Sequence, residues 1–150
     1  MMLCGGRTEY YEDLPKKILS AEITRFKYSA TGQFIVSAVM CEDDDIEIVF
    51  KRCDQESREW ARSEYKAHGS SFMKKLQEII EKYDLAEDNG HYVNIAGLPP
   101  RYGGELSVLY KSGERIFRHN NQSEIISEAA SNEILKAFTE AIPEAFPQTQ

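Results

Sequence analysis

Four side chains in the second half of the chain are of types that could bind a ligand or transfer a proton. Arg101 and Tyr102 lie in the segment GLPPRYGG at 97–104, His91 precedes it, and His119 follows it. An arginine fork binds anions, and a histidine gains or loses a proton near neutral pH. If these side chains meet in one concavity, they would line a small ligand-binding or enzymatic site.

The same segment lacks the features of a phosphate-binding loop. Such a loop needs backbone N–H groups that converge on an anion at the start of a helix, and a P-loop adds a Lys-Ser or Lys-Thr pair. Here Gly103 and Gly104 lead into a strand-like run, and Pro99 and Pro100 remove two backbone donors. We therefore interpret the segment first as a rigid connection into a hairpin, and the ligand site is the alternative hypothesis.

The sequence contains no spacing typical of a metal or cofactor site. The acidic run EDDD at 42–45 would need a glycine at the sixth position of a calcium loop counted from Asp43, but that position is Ile48. The three histidines are not spaced as metal ligands, and the three cysteines form no CxxC pair. We expect no cofactor, no metal and reduced thiols, and the first residues lack the apolar stretch of a signal peptide. These features predict a cytoplasmic location.

The formal net charge of −7 limits the kinds of partner that the chain can bind. Nucleic-acid binding and adhesion to an anionic membrane both depend on clustered Lys and Arg, so we expect neither. A basic protein partner would be attracted over distance. The 150 residues predict one domain, 1–150, with residues 1–20 and 147–150 at its periphery.

The segment SREWARSEYKA at 57–67 is the predicted interaction surface. It fits neither strict alternation nor a clean helical stripe, and we favour a fourth, edge-like strand over a helix. Trp60 and Tyr65 on such an edge would contact a protein partner. We therefore expect a non-catalytic protein-interaction module, in one version an immunity or antitoxin-type protein that blocks a basic toxin. A homodimer is a further alternative.

Hydrophobic periodicity predicts the elements that position these residues. The predicted strands are 21–30, 33–41, 46–52 and the two arms of a hairpin over 105–119. The predicted helices are 71–84, capped by Ser70 or Ser71, and a second that contains Ile134, Phe138 and Ala145 and is ended or kinked by Pro143. This order predicts an α+β fold: an antiparallel sheet, made of a meander of three or four strands plus a C-terminal hairpin, with two amphipathic helices packed on one face.

From residue 71 onward, four stretches share the arrangement of a known group of proteins. The stretches are LQEIIEKYDL, DNGHYVNI, GGELSVLYKSGERI and NEILKAF. In this half of the chain the sequence resembles small uncharacterised bacterial proteins built from a helix, an Asn-Gly turn, a hairpin and a C-terminal helix. Those proteins usually carry a Trp between helix and hairpin, where this chain has Asp88 and His91. The resemblance implies the α+β fold and a prokaryotic origin, and it implies no activity.

Overall fold

The chain folds into one mixed β-sheet and two α-helices. The computed structural model describes residues 8–10, 14–97 and 103–142, and of residues 8–10 it gives the strand alone. The strands are Thr8–Tyr10 (β1), Ile23–Ala30 (β2), Phe34–Met40 (β3), Asp45–Cys53 (β4), Trp60–His68 (β5), His91–Val93 (β6), Gly104–Tyr110 (β7) and Arg115–Asn120 (β8). The helices are Ser71–Lys82 (α1) and Glu128–Ala141 (α2). The predicted α+β class is confirmed.

The predicted meander is present and contains four strands. β2, β3, β4 and β5 pair in sequence order, and each pair is antiparallel. β5 confirms the edge-like strand expected over 57–67, since it begins at Trp60 and lies last in the sheet. The acidic run at 42–45 forms the short 3₁₀ turn Glu42–Asp44 between β3 and β4, in which Asp43 and Asp44 both have φ of 61°. This run is therefore a strand-connecting turn.

The expectation of an entirely antiparallel sheet was wrong. The eight strands follow the order β1-β6-β8-β7-β2-β3-β4-β5, and β6 pairs with β8 in parallel. The predicted hairpin is β7 and β8, and it joins the meander because β7 pairs with β2. β1 and β6 have three residues each, and strands this short show no alternation in a sequence. β6 and β7 lie on opposite sides of β8. The connection between them therefore crosses β8, and β6 runs parallel to β8 while β7 runs antiparallel to it.

The core lies between the sheet and the helices. Phe26 on β2 is fully buried, and its ring centroid lies 6.0 Å from that of Phe138 on α2. Phe138 also makes an edge-to-face contact with Phe72 of α1, with ring centroids 5.0 Å apart. The hydroxyl of Tyr110 on β7 donates to Gln77 of α1 at 2.7 Å. Both helices thus contact side chains of the sheet and each other.

The helix ends differ in how they are capped. The expected cap of α1 was wrong, because the Ser70 side chain at its start makes no capping hydrogen bond. α2 begins with a side-chain cap, in which Ser127 Oγ accepts from the backbone N–H of Ala130 at 3.1 Å. Pro143 and Ala145 lie outside the described residues. Within the described ranges no helix is long and apolar enough to cross a membrane.

Candidate functional site

Strand β5 is an exposed edge of the sheet. Its described hydrogen-bonded neighbour is β4, and the strand order ends with it. Every residue of β5 is exposed except Ser63 and Ala67, which are half-buried. Trp60 and Tyr65 are each 49% exposed, which is a large exposure for aromatic side chains. A strand of this length with one open side can accept a further strand.

The backbone of β5 presents alternate residues to the open side. At one end Glu59 accepts from Asp54, which follows β4, at 2.8 Å, and at the other end Gly69 donates to Asp44 at 2.9 Å. In an antiparallel pair the backbone groups of successive residues point to opposite sides. The odd-numbered residues of β5 therefore direct their backbone N–H and C=O groups toward β4. The even-numbered residues direct theirs away from β4, toward the open side. The even-numbered residues are Trp60, Arg62, Glu64, Lys66 and His68.

Trp60 and Tyr65 share this edge but project from opposite faces of the sheet. They are five residues apart, and strand side chains alternate with a period of two. Tyr65 lies opposite the buried Ile48 of β4, and Trp60 lies opposite Cys53. The two aromatic residues expected to form one contact surface therefore flank the strand on its two sides.

A groove lies beside Tyr65, where the helices leave β5 uncovered. Its volume is about 320 Å³. The buried side chains of Ile48, Phe72 and Ala137 contribute apolar surface to its lining. Lys75 of α1 and Glu140 of α2 also line it, and they form an ion pair with an N–O distance of 3.1 Å. The groove is thus an apolar recess with a polar rim, next to an open strand edge.

The other face of β5 carries charges of both signs. Arg62 Nε lies 3.1 Å from a Glu64 carboxylate oxygen, and both side chains are half-exposed. Across the β4–β5 pair, Arg62 lies opposite Lys51, and Lys66 lies opposite Glu47. The alternation of positive and negative residues along the open edge can discriminate between partner strands by charge.

The structure does not bring the predicted histidines together. Tyr92 of β6 is aligned with His119 of β8, and their rings stack with centroids 4.8 Å apart. His91 precedes Tyr92 in the same strand, so its side chain lies on the opposite face, where its Nδ1 is 3.1 Å from Asp88. His91 and His119 therefore do not line one concavity.

The remaining residues of that hypothesis, Arg101 and Tyr102, lie outside the described residues. The end of their segment is described. A Cβ atom on Gly103 would come within 1.9 Å of the carbonyl oxygen of Asn120, and one on Gly104 within 2.2 Å of that of Ser29. These two glycines let the chain pass closely between neighbouring strands as it enters β7, which favours the interpretation as a connection into the hairpin.

One buried polar residue was not singled out from the sequence as more than a turn. Asn89 is 1% exposed, and its amide nitrogen donates to the carbonyls of Pro15 and Arg115 at 2.7 and 2.8 Å. Its amide oxygen accepts from the N–H of Phe117 at 2.8 Å. The Asn-Gly pair was the available signal, but a turn signal does not show that the side chain is buried. Asn89 joins the N-terminal segment to β8 and thereby has a structural role.

One shifted pKa lies beside the β5 edge: hydrogen bonds from the backbone N–H groups of Ser57 and Glu56 lower the pKa of Asp54, in the turn between β4 and β5. The other shifted groups lie away from this edge. Burial raises the pKa of the Tyr110 hydroxyl, which donates to Gln77 in the core. The hydrogen bond from Lys82 lowers the pKa of Glu133, and the Tyr83 hydroxyl acts in the same direction. Both groups connect packed elements, so the shifts mark structural contacts. The part of the chain that the structure describes contains no group of three or more His, Cys, Asp or Glu residues placed to hold a metal ion.

No protein-family model matches the chain, and comparison with curated proteins finds no significant match.

Proposed function

We propose that this chain is a protein-interaction module, in which the open edge of β5 and the groove beside Tyr65 bind an extended segment of a partner protein. The observation that carries the proposal is the combination of a long exposed edge with an apolar recess alongside it. Added strands gain affinity from main-chain hydrogen bonds and specificity from pockets for alternate side chains. Both parts of that recognition mode are present at β5.

We further infer that α1 and α2 cover one face of the sheet and leave the other open. Phe26, Tyr28 and Tyr110 support this inference, because the strand registers place all three on one face. Phe26 contacts Phe138, and the hydroxyl of Tyr28 lies 2.9 Å from that of Ser131, both on α2. Tyr110 bonds to α1. Residues of both helices line a groove together with Tyr65 and Ala67, so part of the inner side of β5 remains accessible.

The chemistry of the site suggests the character of the bound segment. Side chains that point toward the groove would meet Tyr65, Phe72 and Ala137, which favours apolar residues. Side chains on the other side would meet Arg62, Glu64 and Lys66, which favours charged residues of alternating sign. The net charge of −7 additionally favours a basic partner, and an immunity-type complex with a basic toxin is one such pairing. The exposed thiol of Cys41 and the buried thiol of Cys53 are both free, which supports the proposed cytoplasmic location.

The test is to select linear peptides that bind the chain from a random displayed library, and then to map their contacts by amide hydrogen exchange. We expect bound peptides to protect the amide hydrogens of Arg62, Glu64 and Lys66, which point to the open side. We expect Tyr65→Ala to weaken binding by about tenfold, since tyrosine is enriched among the interface residues whose truncation costs more than about 1 kcal/mol.

Leu109→Ala is the matched control, because Leu109 is 41% exposed on β7, a strand in the interior of the sheet. Its peptide affinity should equal that of the unmodified chain. Protection of a strand other than β5, or equal peptide binding by a folded Tyr65→Ala variant, would contradict the proposal.

A further inference from the structure

We propose that a second copy of this chain binds the β5 edge, with the two β5 strands antiparallel and related by a two-fold axis at Ser63. This inference rests on the proposed function, because it names a partner for the same edge; here the charges along the two facing strands, and not the net charge of −7, select the partner. A dimer of this kind is isologous, so each residue pair across the axis occurs twice. The single eight-stranded sheet of each copy would continue into that of the other.

The backbone of β5 limits the registers that such a dimer can adopt. The even-numbered residues direct their N–H and C=O groups to the open side, as the bonds of Glu59 and Gly69 establish at the two ends. In an antiparallel pair, hydrogen-bonded positions must face hydrogen-bonded positions. Even-numbered residues must therefore face even-numbered residues, and the two-fold axis must pass through a residue. The central positions are Arg62, Ser63, Glu64 and Tyr65.

Charge selects among these registers. With the axis at Ser63, Arg62 of each copy faces Glu64 of the other, and Trp60 of each faces Lys66 of the other. Opposite charges that face each other across a strand pair are favourable, and an ammonium group over an indole ring is attractive. The axis at Ser63 therefore gives two kinds of attractive pair, each formed twice.

The other registers are poorer. An axis at Glu64 places Glu64 against its own copy and Arg62 against Lys66, and both are like-charge pairs. An axis at Arg62 places that arginine against its own copy. An axis at Tyr65 pairs Glu64 with Lys66 but sets Arg62 against His68 and leaves Trp60 beyond the paired strands. Edge charges commonly prevent strand pairing, and here their order would exclude registers other than the one at Ser63.

The same register covers the exposed aromatic residues. On the groove side, Tyr65 of one copy faces the small Ala61 of the other, so the ring can lie over the facing strand. On the other side, Trp60 meets Lys66. The two residues that are each 49% exposed in the single chain would both become part of the interface.

The experiment uses two charge-reversal variants, R62E and E64R, and measures molar mass against concentration by sedimentation. The unmodified chain should show a reversible monomer–dimer equilibrium. In the Ser63 register each variant places like charges opposite each other twice, and we expect self-association at least about tenfold weaker. When R62E and E64R are mixed, every such position pairs opposite charges, so the mixture should form a heterodimer. The double variant R62E/E64R should regain self-association.

K27E is the control, because Lys27 is exposed on β2, a strand in the interior of the sheet, and carries the same change of charge as R62E. It should dimerise like the unmodified chain, and circular dichroism should show that all variants are folded. A monomeric unmodified chain at millimolar concentration, a dimer unaffected by R62E, or a mixture that stays monomeric would each overturn the inference. If the unmodified chain stays monomeric but bound peptides still protect β5, self-pairing alone is wrong. If the unmodified chain stays monomeric and no peptide protects β5, the proposed function is wrong as well.

Discussion

At the scale of single residues, Asn89 shows how one buried side chain joins segments that are distant in the sequence. Its amide group contacts Pro15, Arg115 and Phe117, and its own carbonyl accepts from Lys16 Nζ at 2.8 Å. A buried amide is stable only when its donors and acceptor are paired, because each unpaired group loses its bonds to water without compensation. In Asn89 both the amide nitrogen and the amide oxygen have hydrogen-bond partners.

We predict that Asn89→Ala lowers the free energy of unfolding by about 2–4 kcal/mol. The substitution leaves the carbonyls of Pro15 and Arg115 and the N–H of Phe117 without the partner they have now, and an unsatisfied buried group costs about 1–3 kcal/mol. Urea denaturation measures the change. Asn94→Ala is the control, since Asn94 is exposed and its loss should change stability by less than about 0.5 kcal/mol. Equal stability of the two variants would show that the Asn89 contacts contribute little.

At the scale of elements, α1 and α2 are antiparallel and are joined by ion pairs along their outer sides. Lys75 bonds to Glu140 at 3.1 Å at one end, and Lys82 bonds to Glu133 at 2.7 Å at the other. The Tyr83 hydroxyl donates to the same Glu133 carboxylate. Exposed ion pairs individually contribute little to stability, so apolar packing holds the helices together and these pairs fix their relative position.

We predict that Glu133→Gln reduces thermal stability at pH 7 and that the difference from the unmodified chain disappears in acid. The pKa of Glu133 is lowered by the bond from Lys82, so its carboxylate contributes stability above the ordinary value of 4.5. That contribution is lost as the pH falls through the lowered pKa of the folded chain. Melting temperatures measured between pH 7 and pH 2 test this, with Glu87→Gln as the control. A difference that persists unchanged at pH 2 would rule out the carboxylate as its source.

At the scale of the whole molecule, Phe138 is the point where both helices and the sheet meet. Its ring contacts Phe26 on β2 and Phe72 on α1, and it is fully buried. Replacement of a buried phenylalanine by alanine removes its burial energy and leaves a cavity that neighbouring groups fill incompletely. The loss therefore affects all of the elements that share this core.

We predict that Phe138→Ala lowers the free energy of unfolding by about 3–5 kcal/mol and that the whole domain responds together. Trp60 is the only tryptophan in the sequence, so its fluorescence reports on β5, and far-ultraviolet circular dichroism reports on the helices. The two transitions should coincide in denaturant and shift equally, as a single domain requires. A fluorescence transition that stays in place while the helical signal shifts would show that β5 unfolds separately.

The candidate site was predictable in part. Charged residues interleaved with Trp60 and Tyr65 indicated an edge strand, and β5 is one. That the two aromatic rings lie on opposite faces follows from strand alternation once the segment is a strand, but the sequence left that choice open. The groove beside Tyr65 was not predictable, because α1, α2 and β4 supply its lining from positions far apart in the chain.

Local patterns in the sequence determined the class of fold, the meander, the hairpin and both helices, because each depends on periodicity and turn residues within a short window. The tertiary structure alone decided the strand order, the parallel pairing of β6 with β8 and the separation of His91 from His119. Those features depend on contacts between distant segments, and short strands such as β6 and β1 carry too few residues to signal a partner. The edge-like character of β5 was predicted from its charged residues, but its place at the end of the strand order was decided by the tertiary structure, since it depends on which strands lie beside it.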